Sequence, residues 1–129
     1  QRPVVDPTIV PYAAGGPLVV TAAINGAPVR LLVDTGADRT IISSSAASRA
    51  GLAGMLGSAV HIRGVGGRAT GVEVVVSTLD VAGSRIGNLR VIVHDTGLRN
   101  ADGLLGRDVL DAFTLTVDAA GGRATIVPR

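Results

Sequence analysis

The chain has 129 residues, enough for one domain with a core and too few for two. Hydrophobic residues make up 47% but aromatics only 2%, so the core must be Val, Leu, Ile and Ala; the β-branched share, with 18 glycines for tight turns, points to a mostly-β domain. All 12 basic residues are Arg, scattered against a net charge of only +2 with almost no aromatics to stack bases, which argues against nucleic-acid binding.

Residues 1–16 carry Pro3, Pro7, Pro11 and Gly15-Gly16 and read as an extended arm with little regular structure, ahead of a single domain over 17–129. In "PLVVTAAINGAPVRLLVDTG", Asn25-Gly26 separates two apolar runs and predicts a hairpin of strands 18–24 and 28–33, the second delivering Asp34 at its end. "TIIS" is a short strand, and "SSSAASRAGL", residues 43–52, a short helix with Ser as its cap. "AVHIRGVGGRATGVEVVVSTLDVAG" reads as two strands about a glycine tip, and "SRIGNLRVIVHD" as a strand pair or a bent strand. "ADGLLGRDVLDAF" holds an apolar strand and a helix from about Arg107 to Asp111, and "FTLTVDAAGGRATIVP" a closing hairpin.

No Cys is present, so there is neither a disulfide nor a thiol nucleophile. His61 and His94 stand alone and read as surface or turn residues, since a zinc site gathers three or four ligands; no metal or cofactor is expected. No apolar stretch reaches the ~18 residues of a membrane span. The chain starts on Gln rather than Met and reads as a cut or processed piece, so a preceding signal or anchor would be out of view.

Asp-Thr-Gly occurs twice, at Asp34-Thr35-Gly36 and at Asp95-Thr96-Gly97. At the end of an apolar strand, Gly36 lets the backbone turn and a ligand approach, Thr35 can lock the loop, and Asp34 sits on a rigid platform. Two such carboxylates face to face share one proton and serve as base and acid toward one water. A bare Asp-x-Gly turn is also common in β proteins, so the triplet alone does not decide.

Its surroundings do more. "DTGADRTII" closely resembles the active-site segment of the retropepsin-like aspartic proteases, "IRGVGGRATG" at 62–71 resembles their Gly-rich flap, and "GLLGRDVL" at 103–110 resembles their apolar segment leading into a helix. The three occur in the family's order, across roughly residues 17–128. The resemblance implies a single-lobe, closed barrel-like β fold with a flap hairpin and a short helix. It implies an aspartic endopeptidase in which Asp34 activates a water, Thr35 holds two active loops together, and Gly36 admits the substrate. Ala37, Asp38, Arg39 and the flap residues Gly64, Val65, Gly66 and Gly67 would meet the polypeptide substrate, and Asp38 and Arg107 would form an ion pair beside the site. Ala37 stands where many cellular relatives carry a hydroxyl residue. Leu104 and Leu105 read as core.

The second triplet lacks the tail that follows the first. A two-lobe enzyme needs a whole lobe between its acids, and 61 positions (34 to 95) are too few. Asp95 therefore reads as a turn residue, Asp34 as the one catalytic acid per chain, and a homodimer is required to complete the pair. The terminal segments do not obviously match the interleaving strands of retroviral dimers. The Lys-free, Ala/Gly/Arg-rich composition points to a bacterial member, in the envelope or periplasm if a signal or anchor has been removed. Two other readings stay open: a non-catalytic peptide-binding or dimerisation module of the same fold, and a structural β domain with a fortuitous triplet.

Overall fold

The computed structural model describes residues 7–52, 57–64 and 67–129, with the backbone alone at residues 63, 64, 67 and 68. Strands β2 (Val19–Ile24) and β3 (Ala27–Val33) form the expected antiparallel hairpin, Val20 facing Leu31 and Ile24 facing Ala27. Asn25 (φ 51°) and Gly26 (φ 83°) take the positive-φ pair that a two-residue turn matched to strand twist requires. Asn25 also fastens the turn: its amide reaches the Ala50 carbonyl at 3.2 Å and its side-chain oxygen accepts the Thr78 N–H at 3.1 Å.

Strand β4 (Ile41–Ile42) leads into helix α1 (Ser44–Arg49), shorter than the 43–52 span expected. Ser43 caps it by accepting the Ala46 N–H at 3.1 Å, and Ala46 and Ala47 are buried. Strand β5 (Ser58–Gly64) and the long β6 (Gly67–Val81) form the hairpin expected from the glycine-rich stretch, with Gly64 opposite Gly67; Val65 and Gly66 lie outside the described residues. "SRIGNLRVIV" is one strand, β7 (Ser84–Val93), not a pair. Its partner is the second half of β6, and a turn at Ala82-Gly83 joins them. Strand β8 (Gly103–Leu105) and the one-turn helix α2 (Arg107–Leu110) precede the closing hairpin of β9 (Phe113–Asp118) and β10 (Arg123–Pro128).

The larger sheet runs β2-β3-β8-β4-β7-β6-β5, and β2 also pairs with β6, so six strands close on themselves and β5 extends outward from the ring. Closure removes the open edges of a flat sheet. Alternation on each strand aims Val20, Ala22, Ile24, Val29, Leu31, Val76 and Val91 inward. Leu105 joins this core at 1% exposure, while Leu104 is half-buried.

The expectation for the N-terminal arm needs correction. Thr8–Pro11 is a strand, β1, antiparallel to β10 in a separate three-stranded sheet β1-β10-β9. The cause is Val10, which packs opposite Ala124 and is buried with Ile126 in the core; proline content alone concealed that anchor. Among the described residues no helix is long and apolar enough to cross a membrane.

Candidate active site

Asp34 stands one residue past β3. The parallel pairing of β3 with β8 carries through it, because its N–H donates to the Leu105 carbonyl at 3.0 Å. The chain then turns: the Ala37 N–H reaches the Asp34 carbonyl at 3.1 Å, and the Gly36 N–H reaches Asp34 Oδ1 at 3.0 Å. Asp34 is half-buried, and Thr35 and Gly36 are exposed.

The far side of this loop is held by α2. The Arg107 N–H donates to the Ala37 carbonyl at 2.8 Å and the Asp108 N–H to the Asp38 carbonyl at 3.2 Å. The Arg107 guanidinium pairs with the Asp38 carboxylate, as the resemblance implied. A second clamp went unrecognised in the sequence. Asp108 accepts both the Thr40 N–H (2.9 Å) and the Thr40 hydroxyl (2.7 Å), and Thr40 Oγ1 accepts the Gly106 N–H at 3.2 Å. Thr40 is fully buried, the one buried polar residue of the described core. Gly106 explains the second glycine of "GLLG": a Cβ there would lie 2.6 Å from the Arg39 carbonyl carbon and oxygen. The signal was present in "DRT" and "GRD", a hydroxyl and an acid near the triplet, but nothing in the spacing said that they meet.

Arg39 is bound as well. Its guanidinium donates to Glu73 of β6 at 2.7 Å and to the Arg90 carbonyl at 3.1 Å, and lies 3.8 Å from Asp108. Arg90 lies 3.6 Å from the other Glu73 oxygen. The charge at position 39 is thus largely answered within the chain, and any acidic ligand has to compete with Glu73.

Two cavities flank the Asp34 loop. One, of about 250 Å³, is lined by residues 36–39 and by Ile41, Ile92 and, from the β5 strand of the hairpin, His61 and Ile62. The other, about 180 Å³ and mainly apolar, lies between Pro17, Val19 and Leu32 on one side and residues 98–101 on the other. Both fall below the roughly 300 Å³ of a small-molecule site, a size that suits single side chains. A wider groove of about 520 Å³ lies at the β2–β3 and β6–β7 turns, where its charged lining, Asp80 and Arg85, is self-paired at 2.7 Å; it holds none of the residues singled out for chemistry.

The second triplet is not part of this loop. Asp95 accepts the N–H and the hydroxyl of Ser44, each at 2.9 Å, at the start of α1. These two bonds, helped by the charge of neighbouring His94, hold its carboxyl below the ordinary value of 3.8. His94 itself contacts the Thr70 carbonyl at 3.1 Å.

A family model for aspartyl proteases matches residues 20–109. The chain is 35% identical over 114 residues to DNA damage-inducible protein 1 of Eremothecium gossypii, a match that covers 83% of this chain and 22% of that protein. It spans between 22% and 30% of the length of the curated relatives it matches. Among solved structures, a retropepsin-like aspartic protease from Rickettsia conorii superposes with a TM-score of 0.72 at 19% identity, covering 94% of this chain and 90% of that one. The EIAV protease, solved in complex with an inhibitor, superposes with a TM-score of 0.63 at 28% identity, covering 79% and 92%. With the "DTGADRTII" loop in place on a closed β lobe, the chain belongs to the retropepsin-like aspartic proteases.

Proposed function

We propose that the protein is an aspartic endopeptidase whose active site forms from two copies of Asp34 across the two-fold axis of a homodimer. The observation that carries this reading is the Asp34 loop: a half-buried carboxylate at a strand end, fixed by β8 behind it and by two clamps from α2. Such immobilisation is what a catalytic carboxylate needs and a solvent-facing turn does not. Asp95, occupied by Ser44, offers no second acid within the chain, which supports the need for a partner copy.

In this reading one carboxylate takes a proton from water as the oxygen adds to the peptide carbonyl carbon, and the protonated partner carboxyl donates to the carbonyl oxygen. Collapse of the tetrahedral intermediate breaks the C–N bond, with a proton passing to the leaving nitrogen. Exposed Thr35 would meet its counterpart at the axis. The β5–β6 hairpin would act as a flap, its glycines Gly64, Gly66 and Gly67 with Val65 closing over the substrate. Ala37, Asp38 and Arg39, which line the 250 Å³ cavity, would receive one substrate side chain.

The test is cleavage of an unstructured protein with and without a pepstatin-type inhibitor. Asp34→Asn keeps the shape of the side chain and removes its charge, so folding is retained and cleavage falls by roughly a thousandfold or more. Cleavage by Asp34→Asn at the wild-type rate contradicts the proposal.

A further inference from the structure

The single-acid reading leaves the second triplet without a task, yet its carboxylate is fully engaged. Asp95 binds Ser44, the first residue of α1. Seven residues on (95 to 102), Asp102 engages the same helix again, with the Arg49 guanidinium reaching back to Ser45 Oγ at 3.1 Å. Its carboxylate lies 3.0 Å from the Arg49 guanidinium and accepts the Arg30 N–H at 2.8 Å, while its carbonyl accepts the Ser43 N–H at 2.8 Å. Residues 94–102 contain neither helix nor strand, so the run between the two acids takes its position from its ends. That run supplies Leu98, Arg99, Asn100 and Ala101, one whole wall of the 180 Å³ cavity, opposite Leu32, which lies two residues before Asp34.

We infer that Asp95 and Asp102 are positioning residues: they staple the two ends of the segment between them to α1 and so fix the apolar wall against which an aliphatic substrate side chain packs. The word substrate rests on the endopeptidase reading; the staple does not. Both carboxyls are held below their ordinary range, Asp95 by its Ser44 bonds. At Asp102 burial opposes ionisation, but the Arg30 N–H and the Arg49 guanidinium outweigh it.

The test compares the full chain with Asp95→Ala and Asp95→Asn by three readouts. These are amide hydrogen exchange at residues 96–101, NMR shifts of the Leu32 and Leu98 methyls on adding a leucine-containing peptide, and KM and kcat for that peptide. In Asp95→Ala, exchange at 96–101 rises about tenfold over a barrel that keeps its wild-type rates. KM rises roughly five- to tenfold with kcat within about twofold, the signature of lost binding rather than lost chemistry. Asp95→Asn keeps the shape and an acceptor oxygen and recovers most of the loss. A merely structural role would instead speed exchange throughout and lower kcat with stability. Unchanged exchange and KM in Asp95→Ala, or methyls unmoved by the peptide, overturn the inference even if the wild type cleaves well. Methyls that shift and exchange that responds, with no cleavage by any form, leave the staple standing and remove the endopeptidase.

Discussion

Asp108 and Arg107 are neighbours, yet they hold the Asp34 loop with very different force. The Asp38–Arg107 pair joins side chains 78% and 51% exposed, and an exposed pair of this kind is worth at most about 1 kcal/mol. Asp108, with a side chain only 17% exposed, instead satisfies both polar groups of a fully buried threonine. Removing it leaves a buried N–H and hydroxyl short of partners, at a cost of about 2 kcal/mol. Asp108→Ala should therefore lower Tm by several degrees and lower kcat together with it, whereas Arg107→Ala should leave Tm within about a degree or two. Calorimetry of the two variants, paired with peptide kinetics, separates the contributions; equal losses of Tm would place the weight on the ion pair.

At the level of elements, α1 is a six-residue helix too short to hold by its own hydrogen bonds, and it is fastened instead by Asp95 and Asp102 from the segment leading into β8. Both carboxyls are lowered in the folded state, so their contribution to stability is complete above the ordinary value of 3.8 and is lost as pH falls through the lowered values. Wild type should lose stability more steeply than Asp95→Asn between about pH 4 and pH 2, with the gap between them flat above about pH 5, as followed by chemical denaturation across that range. Parallel curves would show that Asp95 contributes nothing through its charge. This helix also marks how far the sequence could be read. The β2–β3 hairpin and the loop with Asp34 were legible because each is written locally, in alternation, in Asn25-Gly26, or in a contiguous motif; the pair Asp38 and Arg107, 69 positions apart, was reached only through the family resemblance. The tie of Ser44 to Asp95, of Thr40 to Asp108 and of Arg39 to Glu73 was not legible, because each joins residues 34 to 68 positions apart, and no local pattern encodes which acid finds which partner. Arg39 reads in the sequence only as a substrate contact, and its tie to Glu73 of β6 shows in the fold alone.

For the whole molecule, the shared-site proposal makes catalysis a property of the pair, with one acid from each chain. Specific activity should fall on dilution through the dimer's dissociation constant, and light scattering over the same range should follow it. Activity independent of concentration in a monomeric sample would end the shared-site model. The small sheet has its own effect on how such a molecule comes together. Thr8 lies opposite Ile126, so β1 meets β10 only after nearly the whole chain has been drawn into a loop. Local hairpins close at little entropic cost, and a seam of such sequence separation closes late. Docking of β1 is therefore expected to follow assembly of the barrel and its Asp34 loop, and undocking of this four-residue seam would bare the β10 edge and the seat of Val10.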